Sequence, residues 1–131
     1  MTVAITAAHH AARLAGTLSF LDSGPQRARL RVYGGARPAS PEDPPATEML
    51  VEIALTQPAG ALVGNQLALT QQEDGLIVAT GVATWARLVN GNNQAAMDMD
   101  CSDASGNGDV RLSSTTLYLG GYTRLVSAIV G

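Results

Sequence analysis

The second half of the chain alternates short strand-like runs with turn residues, and this pattern constrains the fold more than any other. Between residues 75 and 130, β-branched and apolar runs are separated by clusters of Gly, Asn, Asp and Ser, such as 90–93 and 102–109. Short runs bounded by such turns are typical of antiparallel hairpins. The pattern therefore predicts a β-meander, and it contains no catalytic motif.

The N-terminal segment has a different period. Apolar residues within 4–21 recur at helical spacing, and the segment is rich in Ala, the strongest helix former. Gly24 and Pro25 follow, and these residue types end helices rather than continue them. We therefore predict one helix over residues 4–21.

Three strands and one long loop are predicted between the helix and the meander. Residues 26–33 alternate strictly between polar and apolar, residues 49–56 form an apolar run that ends at 57–60, and residues 67–70 form a weaker strand. The segment 34–47 is polar and rich in proline, which cannot donate ladder hydrogen bonds. We predict an extended surface loop there.

Length and strand count set the fold class. A chain of 131 residues corresponds to one domain of ordinary size. About seven strands at regular spacing are typical of an antiparallel sheet fold. We predict a single, mainly β domain over 1–131, in which an antiparallel β-sandwich or jelly-roll-like barrel at 26–131 follows the helix.

Composition argues against several classes of partner. The net charge of −3 is unlike that of a general nucleic-acid binder, because such proteins are usually basic. No apolar run approaches the roughly 18 residues that a membrane span requires. Cys101 is the single cysteine, which excludes a disulfide within the chain. We expect no nucleic acid, no membrane and no cofactor.

The segment 103–109 carries the one pattern that suggests a metal. Oxygen-bearing side chains stand at alternate positions, as in the first half of a calcium loop: Asp103, Ser105, Asn107 and Asp109. The twelfth position is Ser114, where a calcium loop has a bidentate Glu, and no helix pattern precedes the segment. A hairpin loop that uses Asp, Asn and Gly for its turns is the interpretation that the sequence favours.

Arginines dominate one face of the predicted strand 26–33. Three like charges on one face repel each other, so carboxylate partners are expected nearby. A solvated strand face is one interpretation, and ion pairs between subunits are the other. The residues that we expect at an interface are Arg27, Arg29, Arg31, Arg37, Pro44 and Pro45.

Trp85 is the single tryptophan, and its place within a strand predicts a core anchor. No Ser/His/Asp set, no pair of catalytic carboxylates and no metal-ligand cluster stands out along the chain. We therefore expect a protein without catalytic activity.

Five blocks of the chain resemble, in their order, a known group of proteins. The blocks are residues 30–40, 48–55, 79–89, 108–112 and 120–126. Together they resemble small proteins encoded among the virion-structure genes of tailed bacteriophages and prophages, over nearly the whole chain. The resemblance implies a virion component and carries over no catalytic residues.

The resemblance sets the functional expectations. It implies a structural protein made in the bacterial host cytoplasm and located in the virion, where it packs on other virion proteins as a homo-oligomer or symmetric assembly. Capsid decoration, a head-tail connector or collar, and a tail accessory piece remain alternatives. We expect the helix or the loop 34–47 to contact a neighbouring subunit. The competing hypothesis is a β-sandwich module that binds a host-surface or carbohydrate ligand, with calcium as a candidate ion.

Overall fold

The computed structural model describes residues 4–131, so residues 1–3 of the predicted domain lie outside the described part. The fold is mainly β with one helix, as the sequence predicts. In chain order the elements are α1 (Ala7–Leu21), β1 (Arg29–Tyr33), β2 (Met49–Val63), β3 (Gln66–Gln71), β4 (Gly75–Leu76), β5 (Gly81–Val82), β6 (Trp85–Val89), β7 (Ala95–Asp103), β8 (Val110–Leu112), β9 (Thr116–Leu117), β10 (Tyr122–Thr123) and β11 (Leu125–Val130).

Helix α1 begins and ends close to the predicted positions. The Thr6 hydroxyl accepts a hydrogen bond from the His9 backbone N–H at 3.2 Å, which caps a free amide of the first turn. The chain then leaves the helix through Gly24, whose φ of +99° favours glycine. A Cβ on Gly24 would lie 2.5 Å from the backbone carbon of Gly91, so this close approach also requires glycine.

Seven strands close into a barrel in the order β1-β2-β3-β11-β8-β7-β6, and β6 pairs back onto β1. The pairs are antiparallel except β7 with β8, where Cys101 lies opposite Val110 in a parallel register. The expectation of a wholly antiparallel sheet is therefore wrong at this pair. The segment between the two strands folds back along β7, and the Gly108 N–H donates to the Ser102 hydroxyl at 2.9 Å. The finer assignment to a sandwich or a jelly-roll-like barrel stays a prediction.

Strand β2 is much longer than the predicted strand 49–56, so the expected end at 57–60 is wrong. Its pairing with β3 is irregular between Leu55 and Gly60. Pro58 falls within this irregular stretch, where the strand can continue without a ladder hydrogen bond from proline. The first half of β2 pairs with β1 and the second half with β3. The weaker predicted strand at 67–70 is confirmed as β3.

Alternation along the strands sorts side chains into the barrel interior and its outer surface. Leu30 and Val32 of β1 lie opposite Leu88 and Ala86 of β6, and all four belong to the buried interior cluster. Residues between them point to the other side of the sheet. This second set includes Arg29, Arg31 and Trp85, three of the residues that the sequence singles out.

Helix α1 packs on β2 and β3. Leu14 and Leu21 are buried in the interior cluster. Two polar contacts tie the helix at either end: the His10 ring Nε2 lies 2.8 Å from the Asn65 carbonyl oxygen, and the Asp22 carboxylate accepts from the Ala59 N–H at 3.0 Å. The helix is therefore part of the domain body, and 34–47 forms a loop, as predicted, between β1 and β2.

A candidate interaction surface

The four shortest strands form one antiparallel ribbon, which we call the apolar ribbon (residues 75–83 and 115–123). Gly75 lies opposite Thr123 at one end, and Val82 lies opposite Thr116 near the other, in a single register. Between them, the Ile77 N–H donates to the Gly121 oxygen at 2.8 Å, and the Gly120 N–H donates to the Ile77 oxygen at 2.9 Å. The two short strand pairs are thus parts of one continuous structure.

The inner side of the apolar ribbon covers the barrel core. Ile77, Ala79, Ala83 and Leu117 are buried and belong to the interior cluster. At Gly75, an added Cβ would come within 2.7 Å of a Val51 methyl group, so glycine allows the ribbon to approach β2 closely.

The outer side of the apolar ribbon is exposed and hydrophobic. Even-numbered residues of 75–83 point outward, because Gly75, Ile77, Ala79 and Ala83 are buried. Five large apolar side chains on this side are between 49% and 69% exposed: Leu76, Val78, Val82, Tyr118 and Tyr122. Leu119, which is 67% exposed, adjoins them in the turn where the Gly121 N–H donates to the Tyr118 oxygen. Leu76 lies directly opposite Tyr122, which places their side chains together on one face. We call this outer side the ribbon face.

The ribbon face also lacks charge. Neither 75–83 nor 115–123 contains an Asp, Glu, Arg, Lys or His residue. An exposed apolar surface without charge is unusual for a monomeric protein and is typical of an interaction site. The ribbon face is therefore the candidate functional site of this chain.

A second outer surface has the opposite character. Arg31 on β1 lies opposite Glu52 on β2 and opposite Arg87 on β6, and Arg87 in turn lies opposite Asp98 on β7. Across β2, β1, β6 and β7, these four side chains therefore form a row with an acid at each end and two arginines between them. Arg31 Nε is 2.8 Å from a Glu52 carboxylate oxygen, and Arg87 Nε is 2.8 Å from Asp98 Oδ1. Each arginine has its own carboxylate, which offsets the repulsion between the two cations. We call this surface, with its neighbouring side chains, the ion-pair wall.

The pair of Arg87 and Asp98 is the buried part of the ion-pair wall. Their side chains are 8% and 4% exposed. Arg87 donates two hydrogen bonds to Asp98, from Nε to Oδ1 and from Nη2 to Oδ2, in a bidentate arrangement. Hydrogen bonding to Asp98 raises the pKa of the Arg87 guanidinium, which keeps this buried cation charged.

Two aromatic rings complete the ion-pair wall. Tyr33 stacks on Trp85 with ring centroids 4.6 Å apart, and the Arg87 guanidinium carbon lies 5.4 Å from the Trp85 ring centroid. Trp85 is 1% exposed, yet it lies on the opposite face of β6 from the interior residues Ala86 and Leu88. Trp85 is thus a buried anchor residue, and it packs with Tyr33 and Arg87 on the side of β6 that faces away from the interior residues.

The proline-rich loop crosses the ion-pair wall. Arg37 Nη1 is 3.2 Å from Asp100 Oδ1, and the Thr84 hydroxyl donates to the Gly35 oxygen at 2.6 Å. Asp43 contributes electrostatically to the raised pKa of Arg87. Burial raises the pKa of the Tyr33 hydroxyl above its ordinary value. The predicted interface segment is therefore attached to its own chain at Gly35 and Arg37, and most of its residues are exposed.

The predicted interface residues do not form one site. Arg29 and Arg31 both contact Glu52 and Asn93 within the chain. Arg27 precedes β1 and is exposed, Pro44 is exposed and Pro45 is half-buried. Ion pairs for the arginine face are thus present, and they are made with Glu52, whose position opposite Arg31 follows from the strand register.

The Asp-rich loop forms a compact turn. The Asp103 carboxylate accepts from the Ser105 N–H at 3.0 Å, as in turns capped by aspartate. Among residues 4–131, no group of three or more His, Cys, Asp or Glu side chains is arranged to hold a metal ion. A polar cavity of about 330 Å³ opens beside the loop, and its lining includes Asn107, Asp109, Arg111 and Ser127.

Cys101 is half-buried against the interior cluster, as expected for a residue of a strand. Burial raises the pKa of its thiol to about 12. The thiolate, not the thiol, is the nucleophile. Because so little thiolate forms at neutral pH, Cys101 is poorly reactive there.

The ribbon face is the feature that sequence reasoning missed. Its signal is present: apolar residues alternate at 76, 78 and 82, and charge is absent from both segments. Alternation alone predicts one buried and one exposed face, and exposed faces normally carry polar residues. The combination of exposed and apolar could be recognised only after the register was known.

Comparison with protein-family models, with curated proteins and with solved structures finds no match to this chain. Within residues 4–131, no helix has the length and apolar character needed to cross a membrane.

Proposed function

We propose that the protein is a non-enzymatic structural component of a tailed bacteriophage particle, which acts by self-assembly and by packing on neighbouring virion subunits. The ribbon face carries this proposal, because it is exposed, apolar and uncharged. Burial of apolar surface against a partner yields about 25 cal/mol per Å². The resemblance of the five sequence blocks to virion proteins is the reason for proposing a phage particle as the assembly.

The proposal extends to place and architecture. The protein is made in the host cytoplasm and joins the particle as a decoration, connector, collar or tail accessory subunit. The barrel acts as a sandwich-like or jelly-roll-like packing body. Contacts by α1 or by the loop 34–47 with a neighbouring subunit remain part of this proposal, since Phe20 and several loop residues are exposed.

Mass spectrometry of purified particles tests the proposal. We expect the chain at a fixed copy number in particles from the phage or prophage that encodes it. In particles assembled with Val82→Asp, we expect the subunit to be lost, because a carboxylate on the ribbon face would be buried at the contact.

Val63→Asp is the matched control for Val82→Asp. Both valines are exposed, at 63% and 57%, and Val63 lies at the end of β2, outside the apolar ribbon. We expect particles to retain Val63→Asp. Particles that lack the wild-type chain would refute the virion role.

A binding module for carbohydrate or host-surface ligands is the second candidate function. Tyr118 and Tyr122 support it, because exposed aromatic rings can stack on sugar rings, and the polar cavity beside the Asp-rich loop offers hydrogen-bonding groups. A glycan array, with Tyr118→Ala as the matched variant, tests this function. Binding that the variant loses would favour the module, and no signal from the wild-type chain would reject it. Titration calorimetry with calcium tests whether Asp103 and Asp109 take part.

A further inference from the structure

We propose that the partner of the ribbon face is the ribbon face of a second copy of this chain, related to the first by a two-fold axis. This inference rests on the proposed function in that it names the partner for the same surface. It makes the protein a symmetric dimer before it meets any other virion subunit.

The exposed area suits such a dimer. The five large side chains of the ribbon face and the adjoining Leu119 expose on the order of 700 Å² together, and a standard protein interface takes roughly 800 Å² from each partner. The largest apolar patch on a typical monomer is roughly 300–600 Å². Two ribbon faces in contact would therefore bury nearly the area of a standard interface, and no other part of the surface is needed.

Charge favours the same occupant. A charged partner would lose its hydration against the ribbon face and gain no opposite charge there. A second ribbon face brings apolar side chains and no ions, so neither copy buries an unpaired charge. In a two-fold contact the same surface serves on both sides, which requires a surface that is compatible with itself.

The ends of the apolar ribbon indicate how the two copies are arranged. Glu73 and Asp74 precede one segment and Arg124 follows the other, so all three exposed charges lie at the end where Gly75 meets Thr123. At the opposite end, Arg37 and Asp100 lie near Thr84, and they form an ion pair with each other. Antiparallel stacking of two ribbons therefore places each charged end over the charge-balanced end of the other copy, and the two charged ends do not meet.

Sedimentation velocity of the purified chain, over roughly 1 to 200 µM, tests the dimer. We expect twice the chain mass of 13.5 kDa at the upper concentrations. Val82→Asp should raise the dissociation constant at least about 100-fold, because the dimer would bury two carboxylates. Val63→Asp should dimerise like the wild-type chain. Circular dichroism checks that each variant is folded, and Leu76→Asp replaces Val82→Asp if that variant unfolds.

A cross-linking experiment tests the two-fold arrangement. Val78 lies near the middle of the apolar ribbon, where an antiparallel contact brings a residue close to its own copy. In a Cys101→Ser background, Val78→Cys should form a disulfide-linked dimer on mild oxidation, and Val63→Cys should not.

The outcomes separate this inference from the proposed function. A wild-type chain that stays monomeric at all concentrations, or a Val82→Asp variant that dimerises normally, overturns the self-association. In that case the chain can still be found in particles, where it would bind a different subunit. A dimer of a chain that is missing from particles would leave the self-association standing and reject the virion role.

Discussion

The ion-pair wall and the ribbon face each carry two of the five aromatic side chains of the chain. On the wall, Tyr33 and Trp85 are stacked and buried beside paired charges and a crossing loop. On the ribbon face, Tyr118 and Tyr122 are exposed and have no charged residue within either segment. Both surfaces lie outside the barrel core, and only the wall is covered by its own chain.

The difference shows two ways in which a small barrel can use its outer surface. The wall combines charged and aromatic groups, and these are satisfied by contacts within one copy. The ribbon face presents apolar groups that gain energy only when something else covers them. The wall should therefore contribute to the stability of the single chain, and the ribbon face to association. The following predictions test that division, and each is made in the Val82→Asp background, where we expect a monomer.

Trp85→Ala should have the largest effect. Removal of this buried ring leaves a cavity and exposes the packed face of Tyr33, with an expected loss of about 4 kcal/mol in the free energy of unfolding. Tyr122→Ala, at an exposed aromatic residue, should change it by less than about 0.5 kcal/mol. Urea unfolding measures both. Equal losses would remove the distinction between the two surfaces.

Asp98→Ala should cost about 3 kcal/mol, because it leaves the Arg87 guanidinium buried without its carboxylate. The double variant Arg87→Met/Asp98→Leu should regain most of that loss, since it removes both charges and keeps apolar volume. Urea unfolding of the Val82→Asp parent, the single variant and the double variant measures the difference. A double variant that is no more stable than the single one would contradict this account.

Ionisation of Tyr33 should make the protein less stable in alkali, by less than the Trp85 and Asp98 substitutions do. Burial raises the pKa of Tyr33 above 10.0, so the folded state holds its proton where the unfolded state has lost it. This contribution is fully present below about pH 10 and is lost as pH rises through the raised pKa. Tyr33→Phe should flatten the fall in unfolding free energy between about pH 9 and 11, and the exposed-site control Tyr122→Phe should leave it in place.

Arg37→Ala should have the smallest effect. Its ion pair with Asp100 joins two exposed side chains, and such pairs contribute about 0.5 kcal/mol or less. Thermal unfolding in low and high salt measures this contribution. A loss of several kcal/mol would mean that Arg37 fixes the whole loop on the wall.

Much of the fold follows from local sequence signals. Thr6, Gly24 and the period of 4–21 define the helix, and the alternation in 26–33 and 67–70 defines strands. The parallel pairing of β7 with β8 could not be predicted, because a short connection normally indicates a hairpin. The full length of β2 could not be predicted, because Pro58 lies within it and proline normally ends a strand.

The ion-pair wall, like the ribbon face, was harder to predict because it depends on strand register. The sequence shows that Arg31 needs a carboxylate, and Glu52 becomes its partner only once β1 and β2 are aligned. In the sequence, Trp85 cannot be told from an interior residue, because all five residues of β6 are buried, whichever side of the sheet they face. On the outer side, Tyr33 stacks on Trp85 and the Arg87 guanidinium lies over its ring, and no local pattern predicts these contacts.

The register of the apolar ribbon also has a consequence for folding. Residues 75–83 pair with residues 115–123, and closure of the barrel joins β1 to β6 and β3 to β11, so the essential contacts are distant along the chain. Folds with such contact order form slowly, because long loops must close first. During synthesis, the segment 75–83 leaves the ribosome well before its partner 115–123 exists. This hydrophobic segment stays unpaired during that interval, and the barrel can close only after β11 has been made, because β11 pairs with both β3 and β8.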